Sequence, residues 1–168
     1  PKLAGNALYY WTHMELSQIF GIDEPLNKDS AKRIYDLANK KLKDLSVVSL
    51  LKKFNVEYIA TTDDPIDDLN RHGIYDGIKV SPTFRPDKIV NIDLNGFTSY
   101  VNKLSEVVGY EIKNLEDLEK ALSSRVDFFN SVGCRVADHA LDDVVFEKAS
   151  RESVDTIFRK TLANETLT

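Results

Sequence analysis

Three times along this chain a short apolar run breaks off into a cluster of chemically capable polar residues. Ile78 and Val80 lead into Ser81-Pro82-Thr83-Phe84-Arg85-Pro86-Asp87-Lys88. Val56, Tyr58 and Ile59 lead into Thr61-Thr62-Asp63-Asp64-Pro65, and Cys134-Arg135-Val136-Ala137 leads into Asp138-His139-Ala140. Each junction is followed by helical periodicity. Short strands that end in functional groups and alternate with helices predict an open parallel sheet or one arc of a β/α barrel. In such folds the site lies at the carboxyl ends of the strands.

The residues before Phe54 read differently. Leu8, Trp11, Leu16, Ile19 and Phe20 fall near one helical face that Gly21 would end. Asp29 or Ser30 is placed to cap a second helix, with Ala31, Ile34, Leu37, Ala38 and Leu42 as its buried stripe. Ser46 is placed to cap a third. No strand pattern interrupts them. The expected organisation is a helical subdomain over 1–54 and a partial β/α barrel segment over 55–168.

Within that second segment the pattern predicts a short helix from Ile66 to His72 and a central strand from Ile78 to Phe84. Two longer helices follow, one carrying Phe97, Val101, Leu104, Val107 and Val108, the other running from Leu115 with Leu118, Leu122, Val126 and Phe129 inward. A third strand over 134–139 and a last helix capped by Ser150 complete the series. The fold class is therefore α/β, with about three parallel strands and right-handed crossovers. Three strands do not close a barrel, and exposed sheet edges favour association, so a homo-oligomer is an expectation.

The 168 residues suffice for one ordinary domain. A net charge of −5 argues against a nucleic-acid partner, and no apolar run is long enough to span a bilayer. Cys134 is the only cysteine, which excludes an intrachain disulfide framework and fits a reducing compartment.

Arg85, between Phe84 and Pro86, has little backbone freedom. A guanidinium held in that way suits a substrate carboxylate. The alternative is an ion pair with Asp87 or Asp64 that ties neighbouring loops. His139 beside Asp138 is a candidate general acid/base or metal ligand, or else a hydrogen-bonded structural histidine. Asp63 or Asp64 can cap a helix opened by Pro65. His13 and His72 read as surface or packing residues. No Gly-rich phosphate loop, His-x-His pair or nucleophile elbow occurs.

The same residues resemble the uronate (glucuronate) isomerase family. The resemblance rests on four ordered blocks: Leu8-Tyr9-Tyr10-Trp11-Thr12-His13-Met14-Glu15-Leu16, Thr61-Thr62-Asp63-Asp64-Pro65, Pro82-Thr83-Phe84-Arg85-Pro86-Asp87, and Gly133 through Leu141. It implies a distorted (β/α)8 TIM-type barrel of the amidohydrolase superfamily with an inserted helical subdomain, of which this chain is a middle portion. It implies cytoplasmic interconversion of D-glucuronate with D-fructuronate and of D-galacturonate with D-tagaturonate in hexuronate catabolism. Arg85 matches an arginine that contacts substrate, and Asp138 and His139 match a motif at the mouth of the fourth strand, expected to be catalytic. A divalent metal, zinc by resemblance, is implied, but its ligands belong to strands outside this chain, so no metal ligand is assigned here. Tyr10 stands where relatives commonly carry histidine and is given no role. Two other functions compete: a metal-dependent hydrolase of the same superfamily, and a non-catalytic α/β binding module.

Overall fold

The structure is a computed structural model that describes residues 5–140 and 146–165. The chain divides into two compact units, Pro1–Val56 and Glu57–Thr168.

The first unit holds three helices, α1 (Ala7–Phe20), α2 (Ala31–Leu42) and α3 (Val47–Lys53). Asn6 caps α1 by accepting from Leu8 N. Gly21 ends it in the left-handed region at φ 59°, where its N–H and that of Ile22 return to the last turn. Ser46 and Ser49 exchange side-chain and backbone bonds in a capping box that starts α3. Leu16, Ile22 and Ile34 form a small core, with Phe20, Leu26 and Ala38 against it. The predicted α2 stripe is only partly buried, since Leu37 and Leu42 are exposed. His13 is a packing residue with a definite job: Nδ1 faces Tyr9 O at 2.7 Å, and Nε2 accepts from Leu26 N at 2.8 Å.

The second unit is mixed α/β. Strands β1 (Tyr58–Ala60), β2 (Gly73–Tyr75) and β3 (Ile78–Ser81) form a sheet in the order β1-β3-β2. β1 and β3 are parallel as expected, in the register Ile59 opposite Val80. β2 corrects the expectation of three parallel strands. It pairs antiparallel with β3 through a tight turn at Asp76-Gly77, whose φ angles of 53° and 87° are those of a hairpin turn with both central residues left-handed.

The predicted helix over 66–72 does not form. Aspartate side chains take the backbone donors instead: Asp67 accepts from Asp64 N, Asp64 from Ile66 N, and Asp68 from Asn70 N. Leu69 sits at φ 57°, outside helical geometry. Arg125 takes the carbonyls of Pro65 and Asp67.

The predicted strand over 134–139 is reduced to one parallel bridge, Phe84 opposite Ala137. β3 itself stops at Ser81 because Pro82 has no N–H to donate. The ladder resumes beyond it, with Asp63 opposite Phe84 on the other side.

Helices α4 (Asp87–Val90), α5 (Phe97–Val108), α6 (Leu115–Ser131) and α7 (Arg151–Leu162) complete the unit. Asn114 caps α6 and Ser150 caps α7 through their side chains. One core cluster gathers Phe97, Val101, Leu104, Leu118, Ala121 and Phe158. A second joins Leu69, Phe84, Phe129 and Cys134. Val126, predicted inward, is 47% exposed. No helix among the described residues is long and apolar enough to cross a membrane.

Candidate functional site

Phe84 is the backbone hub of the site. Its N–H donates to Val136 O and its carbonyl accepts from Asp138 N. One residue on, Arg85 N donates to Asp63 O. Side chains on either side of Phe84 are thereby held in fixed register, while the Phe84 ring packs edge-on against Phe129 with centroids 5.0 Å apart. The ring faces the core cluster, and the next side chain along, Arg85, takes up a separate polar setting.

Arg85 meets Asp138 in a bidentate pair. Nε donates to Oδ1 at 3.1 Å and Nη2 to Oδ2 at 2.5 Å. Its expected loop partners prove secondary: Asp87 lies 3.7 Å away, and Asp64 is occupied by Lys88 and Tyr100. The hydrogen bond and charge of Asp138 raise the guanidinium pKa further, against a smaller opposing effect of desolvation, so Arg85 stays cationic. Nη1 makes no hydrogen bond among the described residues. The pair thus orients the guanidinium and leaves one edge to bind an anion.

His139 joins the same cluster. Its Nδ1 is 3.3 Å from Asp87 Oδ1. Asp87 also accepts from Ala140 N, at 3.2 Å on Oδ1 and 3.0 Å on Oδ2. Neighbours on a regular strand point to opposite faces. Because the chain leaves strand pairing after Ala137, Asp138 and His139 both engage the residues around Arg85. All three predicted site residues therefore come together, with Asp87 as the added fourth.

His72, read from the sequence as a surface or packing residue, is a packing residue with polar partners. Its side chain is 7% exposed, with Nε2 at 2.8 Å from Thr61 Oγ1 and 3.3 Å from Asp63 Oδ1. Thr61 donates to Asp63 Oδ2 at 2.6 Å, and that oxygen also accepts from Thr83 N. A cavity of 640 Å³ opens beside these residues, lined also by Leu69, Arg71 and Val80. The cluster supports the backbone of Thr83 and Arg85 from the β1 side. The two acids of the Asp63-Asp64 pair part company: Asp64 accepts from the buried Tyr100 hydroxyl at 2.5 Å and pairs with Lys88 at 3.0 Å.

Comparison with known proteins identifies the family of the chain. The profile of the family UxaC, glucuronate isomerase, matches residues 1–168. The chain belongs to the glucuronate isomerase family. It is 50% identical to the uronate isomerase of Caldicellulosiruptor saccharolyticus over 173 residues, covering 100% of this chain and 37% of that protein. It is 43% identical to that of Caldanaerobacter subterraneus, over 100% of this chain and 38% of the relative. The crystal structure of uronate isomerase from Thermotoga maritima superposes with a TM-score of 0.92 at 31% identity, covering 100% of this chain and 38% of that one. Glucuronate isomerase from Caulobacter crescentus shares the fold, with a TM-score of 0.85 at 22% identity over 98% of this chain and 36% of that one. The glucuronate isomerase resemblance read from the four sequence blocks is thus confirmed. The chain spans little more than a third of the length of these relatives.

Proposed function

We propose that the polypeptide carrying this chain is a uronate isomerase. It interconverts D-glucuronate with D-fructuronate and D-galacturonate with D-tagaturonate. In this proposal the chain supplies the wall that holds the sugar acid. The parallel pairing of β1 with β3 and the parallel bridges at Asp63, Phe84 and Ala137 support reading these segments as an arc of a distorted (β/α)8 barrel of the amidohydrolase superfamily.

The observation that carries the reading is the orientation of Arg85 by Asp138. An aldose–ketose isomerisation conserves atoms and needs no external oxidant. A hydrogen leaves C2, one arrives at C1, and the carbonyl moves from C1 to C2. The work left to the protein is to hold the substrate still and to handle protons at neighbouring carbons. Arg85 grips the C6 carboxylate through its outer N–H groups. Asp138 acts through Arg85 by fixing the plane of the guanidinium. His139, half exposed, is the group of this chain placed for acid/base work.

A divalent metal, zinc by the family resemblance, forms part of the proposal. Among the described residues no group of three His, Cys, Asp or Glu side chains is placed to hold one. The carboxylates of Asp87 and Asp138 are taken up by Arg85, His139 and Ala140 N. The residues in hand do not fit the metal, its ligands are proposed to lie elsewhere in the polypeptide, and no step is routed through it. The same reading carries a cytoplasmic location and self-association, with neither nucleic acid nor membrane as partner.

The test is binding of D-glucuronate and of D-glucose, which lacks the carboxylate, to wild type and to Arg85→Lys. The reading expects D-glucuronate to bind and D-glucose not to. Lysine cannot form the bidentate pair, so affinity is expected to fall by on the order of 10- to 100-fold. Equal binding of both sugars, or an Arg85→Lys variant of unchanged affinity, would sink it.

A further inference from the structure

We propose that Asp87 is the positioning residue of this site, holding His139 as the Nδ1–H tautomer with Nε2 free to take a proton from substrate. The role of His139 rests on the isomerase reading above; the tautomer does not.

The argument begins with what an ionised carboxylate can do. It accepts hydrogen bonds and donates none. Asp87 Oδ1 faces His139 Nδ1 at 3.3 Å, so the ring nitrogen at that contact is the one that carries hydrogen. The carboxylate is held from two further directions. Ala140 N donates to both oxygens, and the Arg85 guanidinium stands 3.7 Å from Oδ2. Each of these contacts comes from an N–H group or a cation, the partners a carboxylate accepts from.

Asp87 is itself well placed. It is the first residue of α4, directly after Pro86, and its side chain is 20% exposed. Its grip on Ala140 N binds the backbone just beyond His139, so the ring is anchored at Nδ1 and at the following peptide. His139 Nε2 makes no hydrogen bond among the described residues. A histidine whose Nδ1–H is fixed by a carboxylate presents a lone pair at Nε2, the arrangement that general bases use. Free imidazole side chains favour the opposite tautomer, so an Nδ1–H ring is a departure that the protein has to impose. One residue thus links the two working groups: Asp87 sets the tautomer of His139 while lying against the guanidinium that grips the substrate.

The first readout is nitrogen NMR of this chain with labelled histidine. The sequence has three histidines, and a His139→Gln variant assigns the signal of interest. At a pH where the ring is neutral, His139 is expected to show a protonated Nδ1 and a bare Nε2. In Asp87→Asn the amide oxygen can still accept from Ala140 N, but the charge is gone and the bias to Nδ1–H is expected to disappear. An Nε2–H ring in the wild type, or a tautomer unmoved by Asp87→Asn, would overturn the proposal.

The second readout is kinetic, on the full polypeptide that carries the chain. Asp87→Asn is expected to lower kcat by roughly 10- to 100-fold, the usual loss when a supporting carboxylate is removed from a working histidine. KM is expected to stay within about threefold, because Arg85 keeps Asp138. A raised KM with kcat intact would place Asp87 in substrate binding and overturn the positioning role. An inactive wild type would refute the isomerase reading alone, and the NMR result would still decide the tautomer.

Discussion

Replacing Phe129 by alanine tests whether packing behind β3 is what holds the site in register. Phe129 is 1% exposed on α6 and meets Phe84 edge-on, with Leu69 and Cys134 completing the cluster. Truncating a fully buried phenylalanine costs about 3–5 kcal/mol, from lost transfer energy and the cavity left behind. The edge-on pair contributes about 0.5–1.5 kcal/mol of that kind of loss. Partial collapse of Leu69 and Phe128 into the gap favours the lower half of the range, so about 3–4 kcal/mol is expected. With a urea slope of about 2 kcal/mol per molar, the midpoint would fall by about 1.5–2 M. The probe is far-UV circular dichroism, because the single tryptophan, Trp11, belongs to the other unit. Val126→Ala, on the same helix but 47% exposed, serves as the control and is expected to change stability by less than about 0.5 kcal/mol. A loss under about 1 kcal/mol for Phe129→Ala would refute the argument that this cluster pins the backbone of Phe84.

Two further perturbations follow from single contacts. Tyr100→Phe removes the hydroxyl from which Asp64 accepts, and is expected to cost about 1.5–3 kcal/mol in denaturant unfolding, the range for a hydrogen bond to a charged group. Burial first, then the bond to Asp64, raises the Tyr100 pKa well above the usual tyrosine value. A group raised in the folded state stabilises fully below its unfolded pKa and loses that contribution as pH rises. Tyr100 should therefore destabilise the fold above about pH 10, and the phenylalanine variant should lack that alkaline loss. Gly77→Ala meets no atom within 4 Å but must adopt φ 87°, so a cost of about 1–2 kcal/mol from backbone strain alone is expected in the same unfolding assay.

Local chemistry made much of this fold legible. The caps at Ser46 and Ser150 and the stop at Gly21 were readable because each acts within a few residues. The parallel pair β1 and β3 followed from two apolar runs of the right length. The hairpin of β2 with β3 was missed although Asp76-Gly77 carries its signature, because β2 is only three residues long, Gly73-Ile74-Tyr75, and shows no apolar alternation. Residues 66–72 mimic helical spacing while their aspartates bind the backbone instead. In the site, Arg85, Asp138 and His139 could be named one by one, but not their pairing. Fifty-three residues separate Arg85 from Asp138, and only the bridge at Phe84 brings them together. Asp87 was named only as a possible partner of Arg85, and its contact with His139, 52 residues away, was not legible.

The central claim is that these residues form the sugar-acid wall of an isomerase. The most direct measurement is carbon NMR of D-glucuronate labelled at C1, incubated with zinc or manganese and the polypeptide carrying this chain, with its intact mass recorded from the same tube. The account predicts that the signal of labelled C1 changes from that of an anomeric carbon to that of a hydroxymethyl carbon as ketose forms, and that Arg85→Lys slows this conversion sharply. A full-length wild type that leaves both D-glucuronate and D-galacturonate unchanged, or an Arg85→Lys variant as fast as wild type, would contradict it.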